Sequence, residues 1–115
     1  MAIFKTNQLD QVFHALGDAT RRQMLSMLAD GKALSATELS APFDISQPSA
    51  SKHLKVLEQA TLVERIVEGR THNFRLLPAN LAEAETWLAR HTRFWAGSLK
   101  RLSRYAALQH GKEKS

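Results

Sequence analysis

The segment from Phe43 to Leu57 constrains the fold of this chain more than any other. Ser46 is a good helix N-cap, because its hydroxyl can accept a hydrogen bond from a free backbone N–H of the first turn. Pro48 falls within that turn, where its missing N–H leaves no helical hydrogen bond unmade. Apolar residues then recur at helical spacing and predict that one side of the helix is buried; they are Ala50, Leu54 and Leu57.

The other side of the same helix carries hydroxyl, amide and cationic side chains, namely Gln47, Ser49, Ser51, Lys52 and Lys55. Residues 42–45 predict a tight turn, and a short helical stretch precedes them. A helix, a turn and a second helix with a polar outer side is the arrangement that places a recognition helix in the major groove of DNA. An ordinary amphipathic surface helix has the same pattern, so this segment alone leaves both interpretations open.

Three helices are predicted before the turn. Gly17 is expected to end the first of them, whose apolar face consists of Leu9, Val12, Phe13 and Leu16. Asp18 is the expected N-cap of the second helix, which Gly31 should end in the left-handed conformation. Ser35 and Glu38 have the spacing of a capping box and predict the start of the third helix.

Residues 62–76 predict a β-hairpin. Residues 62–67 and 71–76 are rich in β-branched and aromatic residues, and a turn at Gly69 separates them. In the second strand, alternation places His72, Phe74 and Leu76 on one side. A hairpin directly after a recognition helix is the wing of a winged helix, here about residues 62–77. Arg70 at its tip is placed to reach a minor groove or a phosphate.

The residues from about 81 to 108 contain no proline and predict one long helix, with Asn80 and Glu83 as its expected cap. Its apolar residues form two neighbouring stripes that are wider than the core of a 115-residue chain can cover. Exposed apolar strips of this size are typical of interfaces, and two-fold homodimers are the commonest solution. The alternative is that both tryptophans pack inside the monomer. The stripes comprise Leu81, Ala84, Leu88, Trp95, Leu99, Leu102 and Ala106, with Trp87, Phe94 and Arg101 beside them.

Charge and composition narrow the class of protein. The formal net charge of +5 suits a polyanionic partner. Residues 90–115 hold seven basic side chains and one acidic one, whereas residues 46–76 hold five basic and three acidic ones. The chain has no cysteine, which excludes disulfides and thiolate metal sites. It shows neither a signal peptide nor a run of about 20 apolar residues, so we expect a cytoplasmic protein without a membrane partner.

Several segments in this order resemble the ArsR/SmtB family of bacterial winged-helix repressors. The resemblance rests on Phe13–Arg22, which reads FHALGDATRR, and on Ser46–Leu57, which reads SQPSASKHLKVL. The pairs Glu38-Leu39 and Leu62-Val63 and the triplet Glu68-Gly69-Arg70 extend it over roughly residues 9–77. The tail with Arg93-Phe94-Trp95 resembles a cysteine-free branch of the same family.

The resemblance implies a mainly α-helical fold with a small β-hairpin wing, a single winged helix-turn-helix domain over residues 1–115. It implies a homodimeric repressor in which two copies of the helix beginning at Gln47 enter successive major grooves of an imperfect palindrome. It also implies dimerisation through the first and last helices. The residues expected at that interface are Leu9, Phe13, Trp87, Phe94, Trp95, Leu99 and Leu102.

Double-stranded DNA is therefore the expected partner, besides a second copy of the chain. Base edges would be read by Gln47, Ser51 and Lys52, since glutamine can pair with adenine and lysine can donate to guanine. Phosphates would be bound by Ser49, Lys52, Lys55 and Arg70, with Arg75 and Lys5 as further candidates. His53 lies at the edge of the buried stripe, where a core position or a phosphate contact is as plausible as a base contact.

The sensor of metal-binding family members does not carry over. Such members use cysteines near the helix at Glu38–Ala41, or histidine and carboxylate pairs on the last helix. Here His110 and Glu113 have a suitable spacing, but a zinc site needs three or four converging ligands. We therefore expect no metal and no cofactor. A repressor gated by a small organic ligand at the dimer interface, and a winged helix kept only for protein contacts, remain alternatives. The sequence contains neither a phosphate-binding glycine loop nor a nucleophile elbow, so it does not indicate an enzyme.

Overall fold

The computed structural model describes the backbone of residues 2–114 and the side chains of residues 8–108. Its elements are α1 (Ala2–Leu16), α2 (Ala19–Met27), β1 (Leu34–Ser35), α3 (Ala36–Ser40), α4 (Gln47–Gln59), β2 (Val63–Glu68), β3 (Thr71–Leu76) and α5 (Pro78–Lys114). The chain forms two units, and the division falls between Ala84 and Glu85, within α5. The helix-turn-helix and the wing belong to the first unit.

The helix caps follow the local sequence. The carboxylate of Asp18 accepts a hydrogen bond of 3.1 Å from the backbone N–H of Arg21, as expected of an N-cap. Ser35 and Glu38 form both hydrogen bonds of a capping box at the start of α3. The prediction that α2 continues to Gly31 is wrong, because α2 ends at Met27 and a turn follows. Gly31 does adopt the left-handed conformation, with φ of 85°.

The core of the first unit lies beneath α4. Ala50, Leu54 and Leu57 are buried, as the helical periodicity predicts. They belong to a helix that packs against α1, α2, α3 and β2. The largest fully buried side chains around them are Val12, Met24, Leu28, Leu39, Leu57, Leu62 and Phe74. Among the described residues, no polar or charged side chain is buried in this core.

The wing contains one strand more than the sequence predicts. β2 and β3 pair antiparallel from Val63↔Leu76 to Glu68↔Thr71, which confirms the hairpin. The two-residue strand β1 adds to the free edge of β3 through Leu34↔Phe74, so the strand order is β1-β3-β2. This pairing ties the loop before α3 to the wing and covers Phe74, which is buried.

The C-terminus of α4 ends in a tight left-handed turn. The backbone N–H of Leu62 donates to the carbonyl of Leu57 at 3.0 Å, and that of Thr61 donates to Glu58 at 2.9 Å. This is the Schellman pattern, in which glycine is the usual left-handed residue. Thr61 takes that position here with φ of 55°, a conformation that is unfavourable for a β-branched residue.

Two side chains from distant elements meet the last carbonyl of this turn. The Ala60 carbonyl accepts hydrogen bonds from Gln8 Nε2 at 2.9 Å and from Asn80 Nδ2 at 3.2 Å. Asn80 was expected to cap α5, and this prediction is wrong because α5 already begins at Pro78. Asn80 instead satisfies a helix-terminal carbonyl of α4, since the last carbonyls of a helix lack partners within the helix.

Beyond Ala84, α5 presents its large apolar side chains to solvent. Trp87 is 39% exposed and Trp95 is 61% exposed, so neither is a core residue of the single chain. Leu88, Phe94, Leu99, Leu102, Tyr105 and Leu108 are exposed as well. By contrast, Leu9 and Phe13 are partly buried against the core of the first unit. Within the described residues, no helix has the length and apolar character needed to cross a bilayer.

Replacing Asp18 with asparagine tests the N-cap of α2. The hydrogen bond from the Arg21 backbone, assisted by the nearby His53 and Arg21 charges, holds the pKa of the Asp18 carboxyl below its usual 3.8 against partial desolvation. The ionised group therefore adds stability above the unfolded-state pKa, and this contribution is lost as the pH falls through the lower folded-state pKa. Asp18→Asn keeps a capping oxygen but loses the charge, which is worth about 0.3–1 kcal/mol near a helix N-terminus.

We expect wild type to exceed this variant in free energy of unfolding at about pH 6, and the difference to shrink as the pH falls toward about 2. Urea unfolding at a series of pH values measures it. A difference that stays constant over this range would show that the Asp18 charge does not stabilise α2.

Candidate nucleic-acid interface

The start of α4 is fixed by its own side chains. Ser46 Oγ accepts a hydrogen bond of 3.2 Å from the backbone N–H of Ser49, which confirms the predicted N-cap. The Ser46 hydroxyl in turn donates to Ser49 Oγ at 3.1 Å. The hydroxyl hydrogen of Ser49 thus stays available as a donor at the positive end of the helix, where an anion is favoured.

Four polar side chains on the outer side of α4 make no intramolecular polar contacts. Gln47, Ser51, Lys52 and Lys55 are all exposed. None of the four makes a hydrogen bond or ion pair within the part of the chain that the structure describes. Lys52 and Lys55 lie opposite the buried stripe of Ala50, Leu54 and Leu57, so the core determines which way they face, while Ser51 lies beside that stripe and Gln47 is exposed in the first turn. The structure therefore brings four of the predicted DNA contacts together on one accessible helix face.

His53 is placed differently from the other predicted contacts. Its side chain is only 20% exposed, and its Nδ1 lies 3.2 Å from Arg21 Nη1 and 3.8 Å from Asp18 Oδ2. Arg21 also donates from Nε to the Ala15 carbonyl at 2.8 Å and from Nη2 to the His14 carbonyl at 3.0 Å. His53 thereby joins α4 to the junction of α1 and α2.

Sequence reasoning missed the role of Arg21. The sequence placed it only within the segment Phe13–Arg22, and its partner His53 lies 32 positions later. No spacing rule connects two residues so far apart, because their contact depends on how α2 and α4 pack. The one available signal was the position of His53 at the edge of the buried stripe.

The tip of the wing presents a free cation. Gly69 takes a left-handed conformation with φ of 62°, which turns the chain between β2 and β3. Arg70 follows it, is exposed, and has no hydrogen bond or ion pair within the described residues. Arg70 is therefore accessible to solvent, and its role at a phosphate or in a minor groove stays a prediction.

The base of the wing is tied to α4 by Arg65. Its Nη2 donates to Glu58 Oε1 at 2.7 Å, and its Nη1 lies 3.1 Å from His72 Nδ1. The guanidinium also lies 5.1 Å from the centre of the Phe74 ring, within the range of a cation–π contact. Sequence reasoning did not single out Arg65, although its contacts hold the wing against the recognition helix.

Arg75 and Lys5 were the two further candidates for phosphate contacts. Arg75 donates from Nε to Glu64 Oε1 at 3.1 Å and from Nη2 to the same oxygen, across the paired strands β2 and β3. Its charge is therefore compensated within the wing. The side chain of Lys5 lies outside the described residues.

A groove of about 470 Å³ lies between α4 and β2, lined by Ser51, Lys55, Glu58, Gln59 and Arg65. Arg65 and Glu58 neutralise each other there, so Lys55 supplies the uncompensated charge. Donors and cations line this face, which suits binding of an anionic backbone. Among the residues with described side chains, no three histidine, aspartate or glutamate groups converge as a metal site would require. His110 and Glu113, which have a suitable spacing in the sequence, lie outside those residues.

The chain is similar in sequence to known regulators. A family model described as a helix-turn-helix domain matches residues 16–66. The HTH-type transcriptional regulator Rv2034 of Mycobacterium tuberculosis is 39% identical over 90 residues, which cover 78% of this chain and 80% of the relative. The transcriptional repressor SdpR of Bacillus subtilis is 32% identical over 80 residues, which cover 70% of this chain and 88% of the relative.

Solved structures show the same likeness. A crystal structure of an ArsR family transcriptional regulator superposes with a TM-score of 0.72 at 33% identity and covers 79% of this chain and 93% of that one. The homodimeric winged helix-turn-helix DNA-binding domain Mb0332 of Mycobacterium bovis superposes with a TM-score of 0.57 over 84% of this chain and 85% of that one. At 23% identity, the second likeness shows the fold alone.

Proposed function

The chain belongs to the ArsR family of helix-turn-helix transcriptional regulators, and we propose that it is a homodimeric repressor of a palindromic DNA operator. The observation that carries this proposal is the free outer face of α4, where Gln47, Ser51, Lys52 and Lys55 have no partner among the described residues. The proposal includes a cytoplasmic location, where a bacterial repressor meets its operator.

Contacts to phosphate and contacts to bases are assigned to two sets of residues that share Lys52. Lys52, Lys55, Arg70 and the Ser49 hydroxyl would bind phosphates and supply most of the affinity, because neutralising phosphates releases counterions. Gln47, Ser51 and Lys52 would meet base edges, where a good bidentate pair is worth about 1–3 kcal/mol of discrimination. His53 would act through Arg21, by setting the position of α4, rather than by reading a base.

Binding to a palindromic operator requires two copies of the chain. One copy of α4 reads one half-site, and a dimer reads two half-sites about 34 Å apart along the duplex. The exposed apolar strip of α5 offers a surface for the second copy, since large exposed apolar patches are typical of interfaces. The repressor named among the relatives supports repression.

The proposal excludes regulation through thiolate-bound metal, because the chain has no cysteine. A small organic effector at the dimer interface is compatible with it. A winged helix used only for protein contacts would not require α4 to expose two lysines without partners, and duplex binding distinguishes the two functions.

Selection of bound sequences from random duplex DNA tests the proposed function directly. We expect enrichment of an inverted repeat whose half-site centres lie about one helical turn apart. The Lys52→Ala protein, when used in the same selection, should enrich this repeat more weakly than wild type does. Failure of wild type to enrich any sequence, or enrichment of a single unrepeated site, would contradict a dimeric operator-binding repressor.

Replacing Lys52 with alanine should weaken operator binding and reduce its salt dependence. Loss of one cationic contact per subunit should lower the slope of log affinity against log salt by about one per subunit. Fluorescence polarisation at several salt concentrations measures this slope. Lys32→Ala is the matched control, because Lys32 is exposed but already paired with Asp30 at 3.3 Å. Equal slopes for both variants would remove Lys52 from the interface.

Replacing Trp95 with alanine should shift the protein toward the monomer and lower its operator affinity in consequence. The reason is that Trp95 is 61% exposed in the single chain and supplies a large apolar area to the strip. Sedimentation velocity over a range of protein concentrations measures the shift. Lys100→Ala changes the other side of the same helix and should leave the dimer intact. A dimer undisturbed by Trp95→Ala would place the interface elsewhere.

A further inference from the structure

The cations of the first unit separate into two groups. Among the described residues before Glu85, five are bound within the fold: Arg21, Arg22, Lys32, Arg65 and Arg75. The three without such a partner are Lys52, Lys55 and Arg70. All three lie on the outer side of α4 or at the wing tip. In this unit, a cation without an internal partner therefore marks the surface that we propose for DNA.

The same criterion selects a second set of cations on α5. Arg90, Arg93, Lys100, Arg101 and Arg104 are exposed, and none makes a hydrogen bond or ion pair within the described part of the chain. Residues 86–112 contain no aspartate or glutamate. The helix thus lacks the ion pairs between residues three or four apart that commonly accompany cations on an exposed helix.

Four of these cations share one side of the helix. Arg90, Arg93, Lys100 and Arg104 follow one another at intervals of three, seven and four residues, which keeps them on one face at 3.6 residues per turn. We call this face the cationic stripe of α5; it is about 21 Å long at 1.5 Å per residue. A groove of about 350 Å³ between Thr86, Ala89, Arg90 and Arg93 lies along it.

Half of the exposed apolar residues of α5 lie opposite the stripe, whereas Trp87, Phe94, Tyr105 and Leu108 lie along one of its edges. Leu88, Trp95, Leu99 and Leu102 recur at intervals of seven, four and three residues and point away from the stripe. A second copy of the chain that covers the apolar residues would leave uncovered the cations farthest from them, Arg93 and Lys100. Four like charges in such a row repel one another, and this repulsion is relieved when a polyanion lies along them.

We propose that the cationic stripe of α5 binds the sugar–phosphate backbone of duplex DNA outside the base pairs read by α4. The inference rests on the proposed function, which brings duplex DNA to the protein. The four side chains of the stripe are all cationic, and the exposed aromatic residue at its edge, Phe94, is expected at the dimer interface, so the stripe lacks the stacking platform of a single-strand site. Its contribution to binding is electrostatic and independent of sequence.

An anionic lipid surface is the competing occupant, because interfacial helices also combine an apolar and a cationic side. Such a helix inserts its apolar side into the lipid, and here that side is the proposed dimer surface. A lipid surface would have to compete with the second copy, whereas duplex DNA requires the cations alone. The observations therefore favour DNA.

The test compares two duplexes: the minimal selected operator, and the same operator extended on each side by about ten base pairs of unrelated sequence, one helical turn. Wild type should bind the longer duplex more tightly and with a steeper salt dependence. The double variant Arg93→Gln/Lys100→Gln should bind the minimal operator as tightly as wild type does. It should lose the additional affinity for the longer duplex, which we call the gain. Its salt slope on the longer duplex should fall by up to about 1.8 per subunit, at about 0.9 per phosphate contact.

The matched control is Arg22→Gln/Lys32→Gln, which removes the same charge from cations that are bound within the first unit. This control should keep the gain, and sedimentation should show both double variants as dimers. Equal loss of the gain in the control, or a monomeric stripe variant, would overturn the inference. A lipid surface would replace DNA as the occupant if wild type bound phosphatidylglycerol vesicles and the stripe variant did not, while the stripe variant still bound the longer duplex more tightly than the minimal operator. This result would also overturn the inference.

The outcomes also separate this inference from the proposed function. Wild-type protein that binds both duplexes with equal affinity would overturn the cationic stripe as a DNA surface and leave the repressor intact. Wild-type protein that binds neither duplex would contradict the proposed function and this inference together.

Discussion

Burial of one side of α4 is the constraint on which the candidate site depends. Full burial of a leucine side chain contributes about 1.5–3 kcal/mol, and α4 buries Leu54 and Leu57 together with Ala50. Rotating the helix about its axis would expose these residues and bury Lys52 and Lys55, which have no partners to compensate their desolvation. The apolar core therefore orients the polar face, although none of its residues would contact DNA.

Polar contacts then hold α4 at both ends and along its side. Ser46 caps the first turn, while Gln8 and Asn80 bind the carbonyl of Ala60 at the other end. A typical intramolecular hydrogen bond contributes only about 0.5–1.5 kcal/mol, so these bonds add little to stability one by one. Their effect is geometric, because hydrogen bonds restrict the tilt and rotation that apolar packing alone tolerates. A helix that enters a groove benefits from such restriction, since misplaced donors lose their base contacts.

The two units carry different kinds of unpartnered surface. The first unit compensates most of its cations internally and leaves uncompensated only those on α4 and at the wing tip. The second unit has exposed apolar residues and a row of cations on adjoining sides of α5, with no carboxylate between Glu85 and Glu113 in the sequence. A single chain leaves both of these surfaces exposed to solvent. The proposed function assigns a second copy to the apolar strip, and the cationic stripe is assigned to DNA.

The sequence by itself determined the features that arise within a few residues of one another. The caps at Asp18, Ser35 and Ser46, the buried stripe of α4 and the turn at Gly69 each depend on local hydrogen bonding or helical periodicity, so they could be predicted. The outward direction of Lys52 and Lys55 followed from that same stripe.

Only the tertiary structure decided the contacts between distant segments. It paired β1 with β3, turned Asn80 toward the end of α4, and placed His53 against Arg21 and Arg75 against Glu64. It also put Thr61 into a left-handed turn that sequence reasoning assigns to glycine. The physical reason is the same in each case: these contacts connect groups that meet only after the helices and strands have packed, and no local pattern encodes which partners packing brings within reach.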